Sequence, residues 1–416
     1  MIWFDITEIK NWQGHHTGIQ KVIHRIGKEL TSKEDVGICY FDRITNSFKT
    51  CEYDFFREVV YEKEKTESLI QNKLVLRAKY IIPKRGKVLI KELLANRISR
   101  AKAKVGVTVE FSEGDTVIIP GAFWIYPIDE LINIKSNHKV SFSGVMYDLV
   151  PIITPQFVVE VTIAGFETNL SKALELFDKW FAISENTKQD LLKVATEDQT
   201  MAEKIDVEVI HLGVDSPDEI KDDAGFIPDL GGLLSDNKKF SLFVSTVEAR
   251  KNQSLVYLAH KLANDSKQAA LPTVIVGKRG WLSDDIIHIM TNDPDVKDKI
   301  IWLERVDDRT LRWLYRNCSF TVYPSFYEGW GLPVAESLAI GKPCIASSAS
   351  SIPEIAGSMV EYFSPYDSAR LAQLMCKYSD EKYLELRKSI ISKFKLPVWT
   401  DCAEQILTSA RNKGRR

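Results

Sequence analysis

Pro324-Ser325-Phe326-Tyr327-Glu328-Gly329-Trp330-Gly331-Leu332-Pro333-Val334-Ala335-Glu336 is the stretch that decides how this chain is read. An apolar, β-rich run, Ser319-Phe320-Thr321-Val322-Tyr323, precedes it. Behind it a helix is predicted over 333–340: Pro333 fits its first turn, Gly341 fits just past its end, and Pro343 blocks its continuation. A strand therefore passes into a helix through a glycine loop. Gly329 and Gly331 let the backbone approach a ligand closely. The unpaired N–H groups of the helix start favour an anion such as phosphate. Two carboxylates frame the turn, Glu328 in the loop and Glu336 in the first helical turn. Beside a bound phosphate they would repel it, so they are expected to accept hydrogen bonds from hydroxyls, those of a sugar or ribose diol. The plainer alternative is a glycine loop with a glutamate that stabilises the helix start.

Working outward, further short apolar runs lie at 240–245, 273–277, 300–303 and 344–347. Helical segments separate most of them, such as 307–316, where Asp307 or Asp308 fits the cap and Leu311, Leu314 and Tyr315 share a face. Strands apolar on both faces and alternating with helices imply a parallel sheet covered on two sides. Ligands bind at the carboxyl edge of such a sheet. Two more turns fall on that edge. Ser245-Thr246-Val247-Glu248-Ala249-Arg250-Lys251-Asn252-Gln253 carries adjacent cations that fit a diphosphate clamp, or are a surface dipeptide. Val276-Gly277-Lys278-Arg279-Gly280-Trp281 brings Trp281 or backbone groups toward a nucleotide base, or is a helix-start loop with a core Trp.

The first half repeats the theme. Strands are predicted at 1–6, 36–41, 116–120, 140–147, 179–183 and 206–211, and a helix at 17–30. The expected fold class is α/β, with two Rossmann-like domains facing each other across a cleft. Residues 1–213 would form the first domain, with a basic insertion around 71–105. Residues 214–239, rich in Gly, Pro and charge, would be the linker and 240–395 the second domain. Between Lys73 and Lys104 there are eleven basic residues and one acid, Glu92, interleaved with leucines and isoleucines. Such a segment reads as a solvated helix face, or as a basic surface for anionic lipid or an anionic acceptor. Few aromatics interleave the charges, which disfavours nucleic acid.

Composition narrows the rest. The 416 residues carry 55 Lys+Arg against 57 Asp+Glu, a formal net charge of −2, and 44% are hydrophobic. Global disorder, collagen-like repeats and a strongly basic nucleic-acid binder are disfavoured. No run approaches the ~18 apolar residues needed to span a bilayer. Met1-Ile2-Trp3-Phe4-Asp5 does not read as a secretory signal, so a cytoplasmic protein is expected. The six cysteines, Cys39, Cys51, Cys318, Cys344, Cys376 and Cys402, form no C-x-x-C pair and are expected as reduced, mostly buried thiols. His15-His16, the single histidine cluster, reads as loop residues rather than a metal site.

The chain resembles glycosyltransferase family 4, retaining nucleotide-sugar-dependent transferases of GT-B fold. The resemblance is strongest from Phe240 to Gly357. It rests on Glu328-x7-Glu336, Glu248-Ala249-Arg250-Lys251-Asn252, Gly277-Lys278-Arg279-Gly280-Trp281 and Ser350-Ser351-Ile352-Pro353-Glu354. Shorter pieces match in the first half: Thr17-Gly18-Ile19-Gln20, Tyr147-Asp148-Leu149-Val150-Pro151, Ser184-Glu185-Asn186 and His211-Leu212-Gly213-Val214-Asp215.

The resemblance implies that Glu336 holds the ribose hydroxyls and Glu328 the transferred sugar. Lys251, with Arg250, would neutralise the departing diphosphate, and Asp148 would lie near the acceptor hydroxyl. Amides of Gly329, Trp330, Gly331 and Leu332 would touch sugar and phosphate, with Gly277, Lys278 and Ser245 also on the donor side. The loop Gly14-His15-His16-Thr17-Gly18 would face donor phosphate and acceptor. Residues 396–416 would hold a helix crossing back to the first domain. Many members carry His where Tyr147 stands, and an Arg near Ser245 or Thr246. Neither is present: no His role carries over to Tyr147, and the missing Arg raises the weight on Arg250.

What the resemblance implies in activity is transfer of a hexose or deoxyhexose, with GDP-mannose as leading donor, to a glycan or lipid-linked acceptor. The product would be a surface polysaccharide such as O-antigen, built at the inner membrane face. Neither a cofactor nor a metal is expected, on the reading that no Asp-x-Asp metal motif is present. The alternatives are a nucleotide-sugar epimerase or hydrolase, and a non-catalytic nucleotide-sugar-binding module.

Overall fold

The computed structural model describes residues 1–10, 12, 18–55, 106–196, 205–215, 226–228 and 239–412. Gly14, His15, His16 and Thr17, the basic segment 73–104 and most of the expected linker lie outside the described residues.

Two sheets organise the chain. The first contains β1 (Ile2–Asp5), β2 (Val36–Asp42), β3 (Ser47–Thr50), β4 (Thr116–Ile119), β5 (Ser141–Met146), β6 (Lys179–Ala182) and β7 (Val207–Val209), in the order β3-β2-β1-β4-β5-β6-β7. Every pairing is parallel except the β2–β3 hairpin, which sets Phe41 opposite Phe48. The second contains β8 (Ser241–Val244), β9 (Thr273–Val276), β10 (Ile300–Leu303), β11 (Phe320–Tyr323), β12 (Cys344–Ser347) and β13 (Glu361–Phe363). It is wholly parallel, in the order β10-β9-β8-β11-β12-β13. β9, β11 and β12 are buried at all four positions, as strands covered on both faces must be. β3 and β13 are additions to the sequence reading. Ser-Phe-Lys-Thr and Glu-Tyr-Phe are too short to display a period, and they are held by their neighbours.

Strand order fixes where ligands can go. In the second sheet the chain winds outward from β8 through β9 to β10, then returns to the other side of β8 as β11. Loops leaving the carboxyl ends of β8 and β11 therefore diverge and leave a crevice. They are the Ser245–Gln253 and Pro324–Gly331 turns. The first sheet has the same kind of switch point between β1 and β4.

The helix after β11 spans Leu332–Ala339, with Gly331 at its N-cap and φ of 116°, a conformation that needs glycine. Its start one residue earlier than predicted puts Glu336 at the fifth position, beyond the first turn, which holds no acidic residue. Glu336 is therefore not a helix-start stabiliser. Asp307 is the cap of the Asp308–Asn317 helix, accepting from the Thr310 amide at 2.7 Å.

The chain's last helix, Trp399–Arg411, packs on the first-sheet side. Trp399, Cys402, Ala403, Ile406 and Leu407 share one core with Val22, Ile23, Ile26 and Leu30 of the Ile19–Leu30 helix. Val214 N–H donates to the Pro397 carbonyl at 2.9 Å, and Gly213 leaves no room for a Cβ, which would meet the Trp399 backbone nitrogen at 2.3 Å. All six cysteines are free thiols, and burial pushes Cys318, Cys344 and Cys402 up to about 12, so they act as small apolar groups. Ile406→Ala should leave a cavity under this strap. The expected cost is about 2–5 kcal/mol, read as a lower urea midpoint.

Candidate active site

The Ser245–Gln253 turn is built around Asn252. This residue adopts a left-handed conformation (φ 63°), and its buried Nδ2 donates to the carbonyls of Pro324 (3.0 Å) and Pro365 (2.9 Å). One side chain thus ties the turn after β8 to the loop after β11. Gln253 donates to Ser245 Oγ and to the Thr246 carbonyl, both at 3.1 Å. Ser245 is therefore held within its own turn. Gly277 follows β9 in contact with that turn: a Cβ there would lie 1.7 Å from the Ser245 carbonyl oxygen. Lys278 is exposed at this rim. Trp281 is 46% exposed, which excludes the reading of a core tryptophan.

At the centre, Glu328 is buried between both cations of the turn. Lys251 Nζ reaches Glu328 Oε1 at 2.7 Å, and an Arg250 terminal nitrogen lies 3.0 Å from Oε2. Arg250 also donates to the Tyr327 carbonyl (2.6 Å) and to Glu248 (2.7 Å). Lys251 donates to the Tyr323 hydroxyl at 3.1 Å. Burial alone would raise the Glu328 pKa, but Arg250 and Lys251 outweigh it and hold the carboxyl at about 2. Burial lowers the Lys251 pKa, opposed by Glu328 and assisted by Arg250. Arg250 is shifted upward: burial opposes its charge, and Glu328, Glu248 and Asp148 more than offset that.

The first domain closes on this cluster. Gly329 abuts the Tyr147 carbonyl, 1.9 Å from where a Cβ would sit, with Asp148 Cβ at 3.2 Å. Asp148 accepts from the Val150 amide, and burial raises its pKa against the pull of Arg250. Thr187 Oγ1 lies 3.4 Å from the Tyr147 carbonyl and 3.3 Å from the Gly329 carbonyl, bridging the two loops. The Trp330 ring enters the first domain's core and meets His211 edge-on at 5.9 Å. Its carbonyl accepts from Ser351 Oγ, and its buried indole N–H has no acceptor among the described residues. Leu332 packs on the same core. Glu336 has partners of its own: its Oε1 takes Lys21 of the Ile19–Leu30 helix at 2.6 Å, and its Oε2 accepts from the Tyr315 hydroxyl at 3.3 Å. Gly18 stands just before that helix with φ 53°.

Sequence reasoning missed several partners. Glu354 of the second domain accepts from the amides of Glu185 (2.7 Å) and Asn186 (2.8 Å) at the start of the first-domain helix Glu185–Thr196. Tyr327 donates to Asp190 of that helix and accepts from Asn186 at 3.1 Å. Both segments were quoted as motifs, but nothing in the sequence pairs Ser184-Glu185-Asn186 with Pro353-Glu354. Lys21, Asp215, Tyr323 and Tyr315 were also unassigned. One Asp-x-Asp spacing does exist, Asp293-Pro294-Asp295. It precedes β10 at the opposite edge of the sheet, paired with Lys261 (3.3 and 2.5 Å), so it contributes nothing here. Among the described residues no cluster of His, Cys, Asp and Glu could hold a metal ion, and no helix is long and apolar enough to cross a membrane.

What this geometry can do is bind an anion against two fixed cations while carboxylates take hydroxyls. Glu328→Gln would leave Arg250 and Lys251 facing a neutral amide, at a cost of about 3–5 kcal/mol at pH 7. Folding depresses that carboxyl from 4.5 to about 2, so its contribution is present above pH 4.5 and is lost as pH falls toward 2. The melting-temperature gap between wild type and Glu328→Gln should therefore narrow steadily below pH 4.5.

Residues 231–395 match the family described as glycosyl transferases group 1. The O-antigen chain mannosyltransferase B of Escherichia coli is 30% identical over 172 residues, 41% of this chain and 45% of that protein. The serotype-specific mannosyltransferase WbdA of Escherichia coli is 27% identical over 238 residues, 55% of this chain and 29% of that protein. The chain thus spans less than half the length of these relatives. Two solved structures share the fold from end to end. The structure of trehalose-6-phosphate from Escherichia coli bound with UDP-2-fluoro glucose has a TM-score of 0.63 at 12% identity, covering 99% of both chains. Sucrose-phosphate synthase from Thermosynechococcus elongatus has a TM-score of 0.61 at 15% identity, covering 99% of this chain and 98% of that one. The architecture is therefore GT-B.

Proposed function

We propose that this chain, whose residues 231–395 carry a glycosyl transferases group 1 domain, is a retaining hexosyltransferase. It moves mannose from GDP-mannose to a glycan or lipid-linked acceptor during surface polysaccharide assembly. The observation that carries the reading is Glu328 wedged between Arg250 and Lys251 at the second sheet's switch point, directly across from Tyr147-Asp148. Mannose as the sugar is supported by the names of the relatives, two of which are O-antigen and serotype-specific mannosyltransferases.

In this reading the diphosphate lies against Arg250, Lys251 and the amides from Gly329 to Leu332, with Ser245, Gly277 and Lys278 at the nucleotide end. Glu328 accepts from hydroxyls of the transferred sugar, and Glu336 from the ribose diol. Asp148 orients the acceptor hydroxyl. As the sugar–phosphate bond breaks, negative charge grows on the leaving diphosphate, and fixed cations stabilise that charge without reorganising. The leaving phosphate oxygen takes the acceptor proton while the new bond forms on the same face. The two side-chain cations fill the role a divalent ion would otherwise take, so the reaction is metal-independent. The charge of the segment 73–104 suits anionic lipid at the cytoplasmic face.

Lys251→Ala should lower turnover by roughly 100-fold or more, with retained fold checked by melting temperature; a near-wild-type rate would remove Lys251 from the leaving-group role. In a thermal-shift screen of GDP-, UDP-, dTDP- and CMP-sugars, GDP-mannose should give the largest rise, since a ligand stabilises the state it binds. A larger rise with another base would replace guanosine in this reading.

A further inference from the structure

We propose that Lys21 is a positioning residue for the nucleotide's ribose. It fixes the Glu336 carboxylate and thereby makes a first-domain residue part of donor recognition by the second domain. The inference rests on the reading of Glu336 as the ribose acceptor and deepens it.

Lys21 is the third residue of the Ile19–Leu30 helix. Its ammonium lies 2.6 Å from Glu336 Oε1 and 3.3 Å from Asp215 Oδ2. Arg25, one turn further on, reaches the same Asp215 oxygen at 2.9 Å. The Trp399 indole N–H donates to Asp215 Oδ1 at 3.1 Å, and the Tyr315 hydroxyl meets Glu336 Oε2 from the second domain. Four separate pieces of the chain therefore converge on one charge-balanced group: the first helix, the segment after β7, the C-terminal helix and the second domain.

This arrangement differs from an ordinary surface ion pair, which is worth little. Lys21, Asp215 and Glu336 keep only 19–23% of their side-chain surface, enough for a ligand's edge to reach them and too little for free rotation. Burial disfavours the Lys21 charge, but Glu336 and Asp215 outweigh that and raise its pKa, so the ammonium persists. Each carboxylate oxygen carries two lone pairs. Lys21 takes one on Oε1 and Tyr315 one on Oε2, so one remains on each oxygen. Two adjacent acceptors on a carboxylate held in one rotamer match the two O–H donors of a vicinal diol. Without Lys21 the Glu336 carboxylate loses the restraint from the far domain.

The test is calorimetry of GDP against 2′,3′-dideoxy-GDP on the full chain, with Lys21→Met, Lys21→Arg and Glu336→Gln. Wild type should prefer GDP. Lys21→Met should weaken GDP by roughly tenfold, the scale of one charge-assisted hydrogen bond, while leaving dideoxy-GDP unchanged, and Lys21→Arg should restore most of the preference. Equal weakening of both nucleotides, or no change in either, overturns the proposal and leaves Lys21 as a strap between domains. Glu336→Gln separates the two ideas: if it retains the full ribose preference, the ribose reading of Glu336 itself fails. If it loses that preference while Lys21→Met keeps it, only the role of Lys21 fails. Should GDP not bind wild type, the same series is run with UDP and its dideoxy counterpart.

Discussion

A buried carboxylate caught between two cations is the constraint around which this molecule is arranged. Glu328, Arg250 and Lys251 come from two loops that would be strangers in any other strand order. Removing three charges from water is expensive, and it is tolerable only where each finds a partner at hydrogen-bond distance. The second sheet provides that distance by sending β8 and β11 side by side with their carboxyl ends diverging. Asn252 then locks the two loops together through Pro324 and Pro365. The cluster is also the surface against which the first domain is seated, through Gly329 and the Tyr147 carbonyl.

The contact between domains combines apolar packing, with Trp330 and Leu332 against the first domain's core, and hydrogen bonds that satisfy helix-start amides. Glu354 supplies both oxygens to the first two amides of a helix in the opposite domain, where helix starts leave donors open. Tyr327, next to Glu328 in the chain, joins the same helix through Asn186 and Asp190. Phe157 of the first domain stacks on Phe326 of the second at 4.8 Å. Seating of the domains and alignment of the site are consequently one event, since the residues flanking Glu328 make the contacts. Domain closure in enzymes excludes water and completes the site, and here the same loop takes part in both.

Much of this was legible in the chain. The strand runs at 240–245, 273–277, 300–303, 319–323 and 344–347 each contain an observed strand; β9, β11 and β12 are buried at all four positions, which leaves an apolar block in the sequence. The glycine loop, its Pro-bearing helix and the Arg250-Lys251 turn were found from local spacing alone, and the resemblance to a glycosyltransferase family agrees with the matched segment 231–395. Glu336 was placed in the first helical turn, and the structure puts it one residue beyond. A helix boundary depends on cap geometry that Gly331 sets only once the loop is folded.

Local pattern determined the element types, the parallel character of the sheets and the residue kinds at the site, because periodicity, glycine and proline act over a few residues. It did not determine which charges meet. Lys21 and Glu336 are 315 residues apart, the Glu185 backbone amide and the Glu354 carboxylate that accepts from it 169, and no propensity connects them. Those encounters follow from strand order and domain seating, where an ion pair at about 3 Å becomes obligatory because neither partner retains enough water. That is why the sequence could name the carboxylates and cations, while only the folded chain could say which of them face each other.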